Sequence, residues 1–302
     1  MKLQSIVVRA LTACLVLAAA VASAATNPDW KAPQKPFRIA GNLYYVGSRD
    51  LAAYLVVTPA GNILINANLE SSPPQIRTSV QALGFRWADT RILLISHAHF
   101  DHAAGSAEVL RETGASMMVM QGDAELVETG DPHDFAGKDV RPFPPAHVSR
   151  VLHDGDMVAL GGTILTAHKT AGHTRGCTTW TMQVREQGQT RNVVIVGSWS
   201  VNSEFRLVDA PGRPASYPGI AADYERTFAE LKALPCDIFL GAHGLYFDML
   251  GKLARAKAGA GEAVWIDPAG YKAAVAEHEQ AFETELKREQ AAAQTTRLRR
   301  AN

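Results

Sequence analysis

The segment Ser96-His97-Ala98-His99-Phe100-Asp101-His102-Ala103-Ala104-Gly105 constrains this chain more than any other stretch. It gathers three imidazoles and a carboxylate into six positions, directly after the strand-like run Arg91-Ile92-Leu93-Leu94-Ile95. Imidazole nitrogens and carboxylate oxygens are ligands that zinc accepts, at roughly 2.0–2.2 Å, and so many titratable groups at one sheet end call for a common partner. His97 and His99 are two apart on expected extended backbone, so they project the same way, while Asp101 and His102 follow where the chain turns into a helix. Two sets of ligands imply two metal positions.

Three later histidines are candidates to complete them. His173, in Ala171-Gly172-His173-Thr174, and His243, in Gly241-Ala242-His243-Gly244, are flanked by glycines that permit close backbone approach at a strand end. Both are read as ligands. His168 ends the apolar strand Thr163-Ile164-Leu165 and is read as a structural or supporting residue. The bland alternative, an ordinary polar surface turn, would suit one histidine but not four metal-competent residues in six followed by two glycine-flanked histidines.

On these residues the chain resembles the metallo-β-lactamase superfamily, whose motif has the form His-x-His-x-Asp-His, and within it the subclass B3 enzymes. The resemblance spans about Pro36 to Tyr271. It implies an αββα sandwich, in the α/β class, of two mixed sheets with helices on the outer faces. It further implies His97, His99 and His173 on one zinc and Asp101, His102 and His243 on a second, with Ser198 and Ser200 near the substrate. Relatives acting on thioesters, lactones or phosphoesters usually carry a bridging Asp where this chain has Ser198, and B1 enzymes carry a Cys. The implied activity is hydrolysis of the β-lactam amide of penicillins, cephalosporins and carbapenems, conferring antibiotic resistance, with lactone or thioester hydrolysis as the alternative. A non-enzymatic zinc protein is the third reading. It fits less well, because a structural zinc site closes its coordination with protein and needs no second metal.

Two zincs about 3.5–4 Å apart can share a hydroxide at neutral pH and stabilise charge on a leaving nitrogen, so no protein nucleophile is required. Asp101 is expected to orient the nucleophile. The hydroxyls of Ser198 and Ser200 can bind a substrate carboxylate, with Arg175 or Arg206 as possible charge partners. Trp199 is read as lying beneath the site or in the core.

The first two dozen residues read as targeting information. Lys2 and Arg9 precede an uncharged run from Ala10 to Ala22, and Ala22-Ser23-Ala24 is a small-x-small cleavage site. The run falls short of the roughly 20 apolar residues of a membrane span. Cys14 lacks the preceding hydrophobic segment of a lipidation site. Export to the periplasm follows, with residues 25–302 as one hydrolase domain, expected to be a monomer without stable membrane association. Without Lys2 and Arg9, 28 basic residues face 30 acidic ones. That balance provides no electrostatic footprint for nucleic acid and favours a small-molecule substrate.

Short β-favouring runs separated by turn signals (Phe37-Arg38-Ile39, Leu43 to Val46, Ala53 to Val57, Ile63-Leu64-Ile65) predict a meandering sheet. A helix from Pro74 to Leu83, a helix over 103–113 and a strand Ser116 to Met120 follow. The polar, proline-rich stretch Gly130 to Arg150 reads as a long loop, with Phe135 and Phe143 the residues most able to touch a substrate. In the second half, strands near 157–160, 163–167, 178–182 and 193–196 lead to helix 221–234, strand 238–240, and helices near 245–256 and 268–290. The alanine- and arginine-rich tail from about Glu285 is expected to fray into disorder. Cys177 and Cys236 lack redox spacing and read as free thiols.

Overall fold

The computed structural model describes residues 27–130, 134–136 and 141–301; the expected leader lies outside them. The first sheet runs β1 (Phe37–Ala40), β2 (Leu43–Tyr45), β3 (Tyr54–Thr58), β4 (Gly61–Ile65), β5 (Thr90–Leu94), β6 (Ser116–Met120) and β7 (Arg150–Leu152), in that spatial order. Its opening hairpins are antiparallel, and from β4 onward the strands are parallel. The second sheet comprises β8 (Met157–Leu160), β9 (Thr163–Lys169), β10 (Thr178–Glu186), β11 (Gln189–Val196) and β12 (Ile238–Gly241), ordered β12-β11-β10-β9-β8. Only β11 and β12 pair in parallel there, so this sheet is mixed too.

Side-chain alternation builds the layers. Tyr54, Val56, Ile63 and Ile65 point inward and join Leu165, Trp180 and Met182 of the second sheet in one buried cluster. Leu55, Leu64 and Leu93 point the other way. They meet Ile76 and Val80 of α1 (Pro73–Ala82), Ala103 of α2 (Phe100–Ala103), Val109 of α3 (Ser106–Thr113) and Val127 of α4 (Ala124–Thr129). On β11 and β12 both faces are buried, which accounts for the unbroken runs Val193 to Val196 and Ile238 to Leu240. The outer cover there is α5 (Ile220–Ala233) and α7 (Pro268–Ala301), with Phe228, Leu231, Tyr271, Val275 and Phe282 in the core cluster; α6 (Met249–Arg255) precedes α7. The result is the expected sandwich of two mixed sheets with helices outside.

The tail departs from expectation. Instead of fraying from Glu285, α7 continues to Ala301. Few large apolar residues argued for disorder, yet Phe282, Leu286, Glu289 and Ala293 recur every three or four positions and are buried or half-buried along one stripe. Alanine and arginine have strong helix propensity, so a narrow stripe suffices. In the 130–150 segment Phe143 is buried in the core beneath the first sheet's helices, pinning the chain, whereas Phe135 faces the second half.

Candidate metal centre

The parallel strand pairs β4/β5 and β11/β12 release the chain at one edge of the sandwich, and the motif residues collect there. β5 ends at Leu94, after which the Ser96 amide donates to Asn66 Oδ1 (2.8 Å), and Asn66 Nδ2 donates to the Ala52 carbonyl (3.1 Å). Asn66 and Asn68 take left-handed φ values of 69° and 57°, a conformation Asn tolerates better than most residues. The amides of Ala67 and Asn68 both donate to the His102 carbonyl, tying this turn to the motif.

Asp123 joins the two halves. Its carboxylate accepts from the Ala98 amide (2.8 Å), the Thr174 hydroxyl (2.7 Å) and the Gly176 amide (2.7 Å), so one buried side chain fixes the segment between His97 and His99 and the loop carrying His173. That loop approaches α5 closely. At Gly172, with φ of +137°, a Cβ would lie 2.8 Å from the Tyr224 ring.

One nitrogen each from His97, His99 and His173 lie within 4.8 Å of one another, as do ligand atoms of His97, Asp101 and His102. The second triad closes through His243: Asp101 Oδ2 is 3.4 Å from His102 Nε2 and 3.6 Å from His243 Nε2, which are 3.2 Å apart. Three sites that accept protons or cations thus face one point. Outer partners select the free nitrogens. His173 Nδ1 donates to the Ser200 carbonyl (2.9 Å), His243 Nδ1 to Asp50 Oδ2 (3.0 Å) and His99 Nε2 to Asp134 Oδ2 (3.1 Å), leaving His173 Nε2, His243 Nε2 and His99 Nδ1 with inward lone pairs.

The electrostatics suit a cation better than protons. Burial, then mutual repulsion among the histidines, holds His97 well below the usual imidazole range. Burial brings His102 and His173 down to about 3, against the pull of Asp101. Burial would lower His99 too, but its bond to Asp134 and nearby carboxylates raise it. Asp101, whose burial would raise it, is held low by His102 and His243 and is ionised. Neutral imidazoles around one carboxylate form a donor set that fits zinc.

Around the clusters, Ser198 Oγ lies 3.3 Å from the Tyr246 hydroxyl, and the Ser200 amide 3.4 Å from Ser198 Oγ. Burial pushes the Tyr246 phenol up to about 12, so it stays a donor; its ring is 5.2 Å from that of His243. Phe135 packs on Phe205 (5.1 Å) and Tyr217 (4.8 Å), and Phe205 reaches the His173 ring (5.9 Å), forming an aromatic wall. Arg175 is exposed and lies over the Tyr217 ring (5.2 Å) at the outside of that wall. Arg206 donates to the Pro214 carbonyl and serves its own loop. Trp199 is buried against Tyr246 and His278. His168 sits apart, between Glu230 and Thr181, and is structural.

Seven residues escaped the sequence reading: Trp30, Asp50, Asp123, Asp134, Phe205, Tyr217 and Tyr246. Trp30 Nε1 and the Leu245 amide both donate to the Asp50 carboxylate that holds His243. Of these, only Tyr246 had a local signal, lying three residues beyond a ligand in a tight 3₁₀ turn.

Residues 49–243 match the profile of the metallo-beta-lactamase superfamily. Among solved structures, the FEZ-1 metallo-beta-lactamase from Legionella gormanii is 49% identical, with 86% of this chain and 98% of that one covered and a TM-score of 0.82. BJP-1, a subclass B3 metallo-beta-lactamase of Bradyrhizobium japonicum, is 37% identical over 88% of this chain and 98% of that one, with a TM-score of 0.80. Curated relatives include metal-dependent hydrolases and an acyl-coenzyme A thioesterase of Gallus gallus, the latter 30% identical over 44% of this chain and 53% of its own. The chain spans about half the length of the curated relatives it matches, or less.

Proposed function

The chain belongs to the metallo-beta-lactamase superfamily and is a metal-dependent hydrolase of that fold; we propose that it is a dinuclear zinc enzyme that opens β-lactam rings. The observation that carries this reading is the neutral hydroxyl group at the floor of the site. Ser198, Tyr246 and Ser200 lie together beside His243 as neutral donors, where a carboxylate would repel a substrate carboxylate. The 49% identity to a metallo-beta-lactamase over most of both chains supports it.

His97, His99 and His173 would hold one zinc, and Asp101, His102 and His243 the other. When bound, the pair supplies Lewis acidity to a carbonyl and makes water nucleophilic at neutral pH. The ionised Asp101 carboxylate can orient water and accept or return its proton. Tyr246, which stays protonated, and the two serines donate toward an anionic substrate group, and the wall of Phe135, Phe205 and Tyr217 excludes water on one side. Export to the periplasm, where such a substrate would be met, is part of the proposal; its signal lies in residues 1–24.

Hydrolysis of lactones or thioesters is the second reading, the thioester favoured by the partial likeness to the Gallus gallus thioesterase. One comparison separates the two: kcat/KM for a cephalosporin, a carbapenem, an acyl-homoserine lactone and a glutathione thioester at one zinc concentration. The β-lactams should be preferred, and a chelator should abolish turnover. A lactone or thioester turned over at least about tenfold faster than both β-lactams, roughly 1.4 kcal/mol in transition-state binding, transfers the assignment to the second reading.

A further inference from the structure

The aromatic wall is carried by an irregular connection, residues 197–219, between β11 and α5. Its own hydrogen bonds close residues 206–216 on themselves, through Arg206 N to Ser216 Oγ, Ser216 N to the Arg206 carbonyl and the paired bridge between Ala210 and Arg213, and leave the Leu207 and Val208 amides to an outside partner. Its middle is held from outside. Glu289, on the far part of α7 and only 7% exposed, accepts from the Leu207 amide (2.8 Å) and the Val208 amide (3.2 Å) through a single carboxylate oxygen. Two turns further along, Arg297 Nη2 donates to the Asp209 carbonyl (3.2 Å). These contacts act on the residues immediately after Phe205, which is buried between Phe135 and the ligand His173.

A long surface connection rarely keeps one shape unless something outside it supplies partners for its backbone amides. Here the partner is a buried carboxylate, which makes charge-assisted bonds stronger than neutral ones. We propose that the end of α7 is a strap that sets the substrate-facing wall, with Glu289 as the positioning residue. It holds the backbone at Leu207 and Val208, and thereby keeps Phe205 seated against Phe135 and His173. Glu289 touches neither metal ligand nor substrate in this arrangement, so its effect is on the shape of the mouth. The consequence for substrate rests on the β-lactam reading; the holding of the loop does not.

The test compares Glu289→Ala and Glu289→Gln in the full mature chain. Amide hydrogen exchange at Leu207 and Val208, measured without metal, should accelerate at least about tenfold in the alanine variant, with protection of β3, β4 and β11 unchanged. Glutamine retains an acceptor oxygen and should restore most of it. With zinc bound, KM for a cephalosporin should rise about threefold or more in Glu289→Ala while kcat and zinc content stay within twofold. Exchange confined to parent-like rates, or accelerated equally through the sheets, overturns the strap. Loop exchange that accelerates as expected while KM is unmoved, in a protein that does hydrolyse the cephalosporin, overturns its role in the wall. If the alanine variant fails to fold, a Glu289→Gln protein with parent KM and exchange supports the strap, and one indistinguishable from a chain truncated after Thr284 overturns it. If no β-lactam is hydrolysed at all, the proposed function fails and the exchange result still decides whether Glu289 holds the loop.

Discussion

Asp123 shows how much a single buried carboxylate can organise. Burial raises its pKa, against the bonds from Thr174, Ala98 and Gly176 and the charge of His99, which favour the carboxylate. An amide in its place offers one acceptor oxygen and turns an NH2 group toward at least one donor, which leaves buried N–H groups unpaired. Asp123→Asn should therefore loosen both ligand-bearing loops and weaken zinc binding by about 10- to 100-fold, with far-UV circular dichroism unchanged. Competition against a chromophoric chelator measures this, and parent-like affinity would contradict the keystone role. The six candidate ligands were legible because metal chemistry restricts residue type and spacing so narrowly, and the structure brings them into two clusters. Asp123, Asp50 and Asp134 were not, since an aspartate that supports a ligand across the fold looks locally like any turn aspartate. Arg175, two residues beyond His173, lies over the Tyr217 ring.

Among elements, the strands were readable wherever period-two alternation or an unbroken apolar run set them, and the helices wherever a proline or glycine marked an end, as at Pro73 and Gly84. The short α4 and the helical tail were not, because one is six residues long and the other depends on a stripe only partly apolar. The connection 197–219 has no period to read; it is held by its own bonds between Arg206 and Ser216 and by contacts with α7. The cysteines belong at this scale, Cys177 just before β10 and Cys236 just before β12, both free. Burial pushes the Cys177 thiol far up and, with Asp237 beside it, the Cys236 thiol up to about 12. At pH 8 the Cys236 thiolate is then on the order of a thousandfold scarcer than for an ordinary thiol. A disulfide-exchange reagent should find almost no reaction in the native protein and two thiols after unfolding without reductant. Zero thiols after unfolding would mean the pair is oxidised.

For the whole molecule, the site's electrostatics couple metal, protons and folding. In the metal-free protein His102 and His173 titrate near 3 and His97 also lies low, whereas an unfolded imidazole titrates near 6.5. Between those values the unfolded chain binds protons that the folded one refuses, so stability present above about 6.5 is lost as pH falls toward 3. Asp50 and Asp101, held low by their histidine partners against the effect of burial, add stability that is lost on acidification below their ordinary range. His99 and Asp123 oppose this: the raised value of His99 contributes stability below about 6.5 that fades as pH rises, and the cost of burying the Asp123 charge is relieved on acidification. Three histidines and two carboxylates outweigh these two. The chelator-treated protein should show a melting temperature that falls steadily from pH 7 to pH 4. Zinc must displace the proton that His99 carries below its raised pKa, so it should raise that temperature more at pH 7 than at pH 5, saturating near two equivalents. A flat profile for the metal-free protein would remove the electrostatic account of the site. Saturation at one equivalent, with no second metal taken up from excess zinc, would leave Asp101, His102 and His243 as a hydrogen-bonded cluster and end the dinuclear reading.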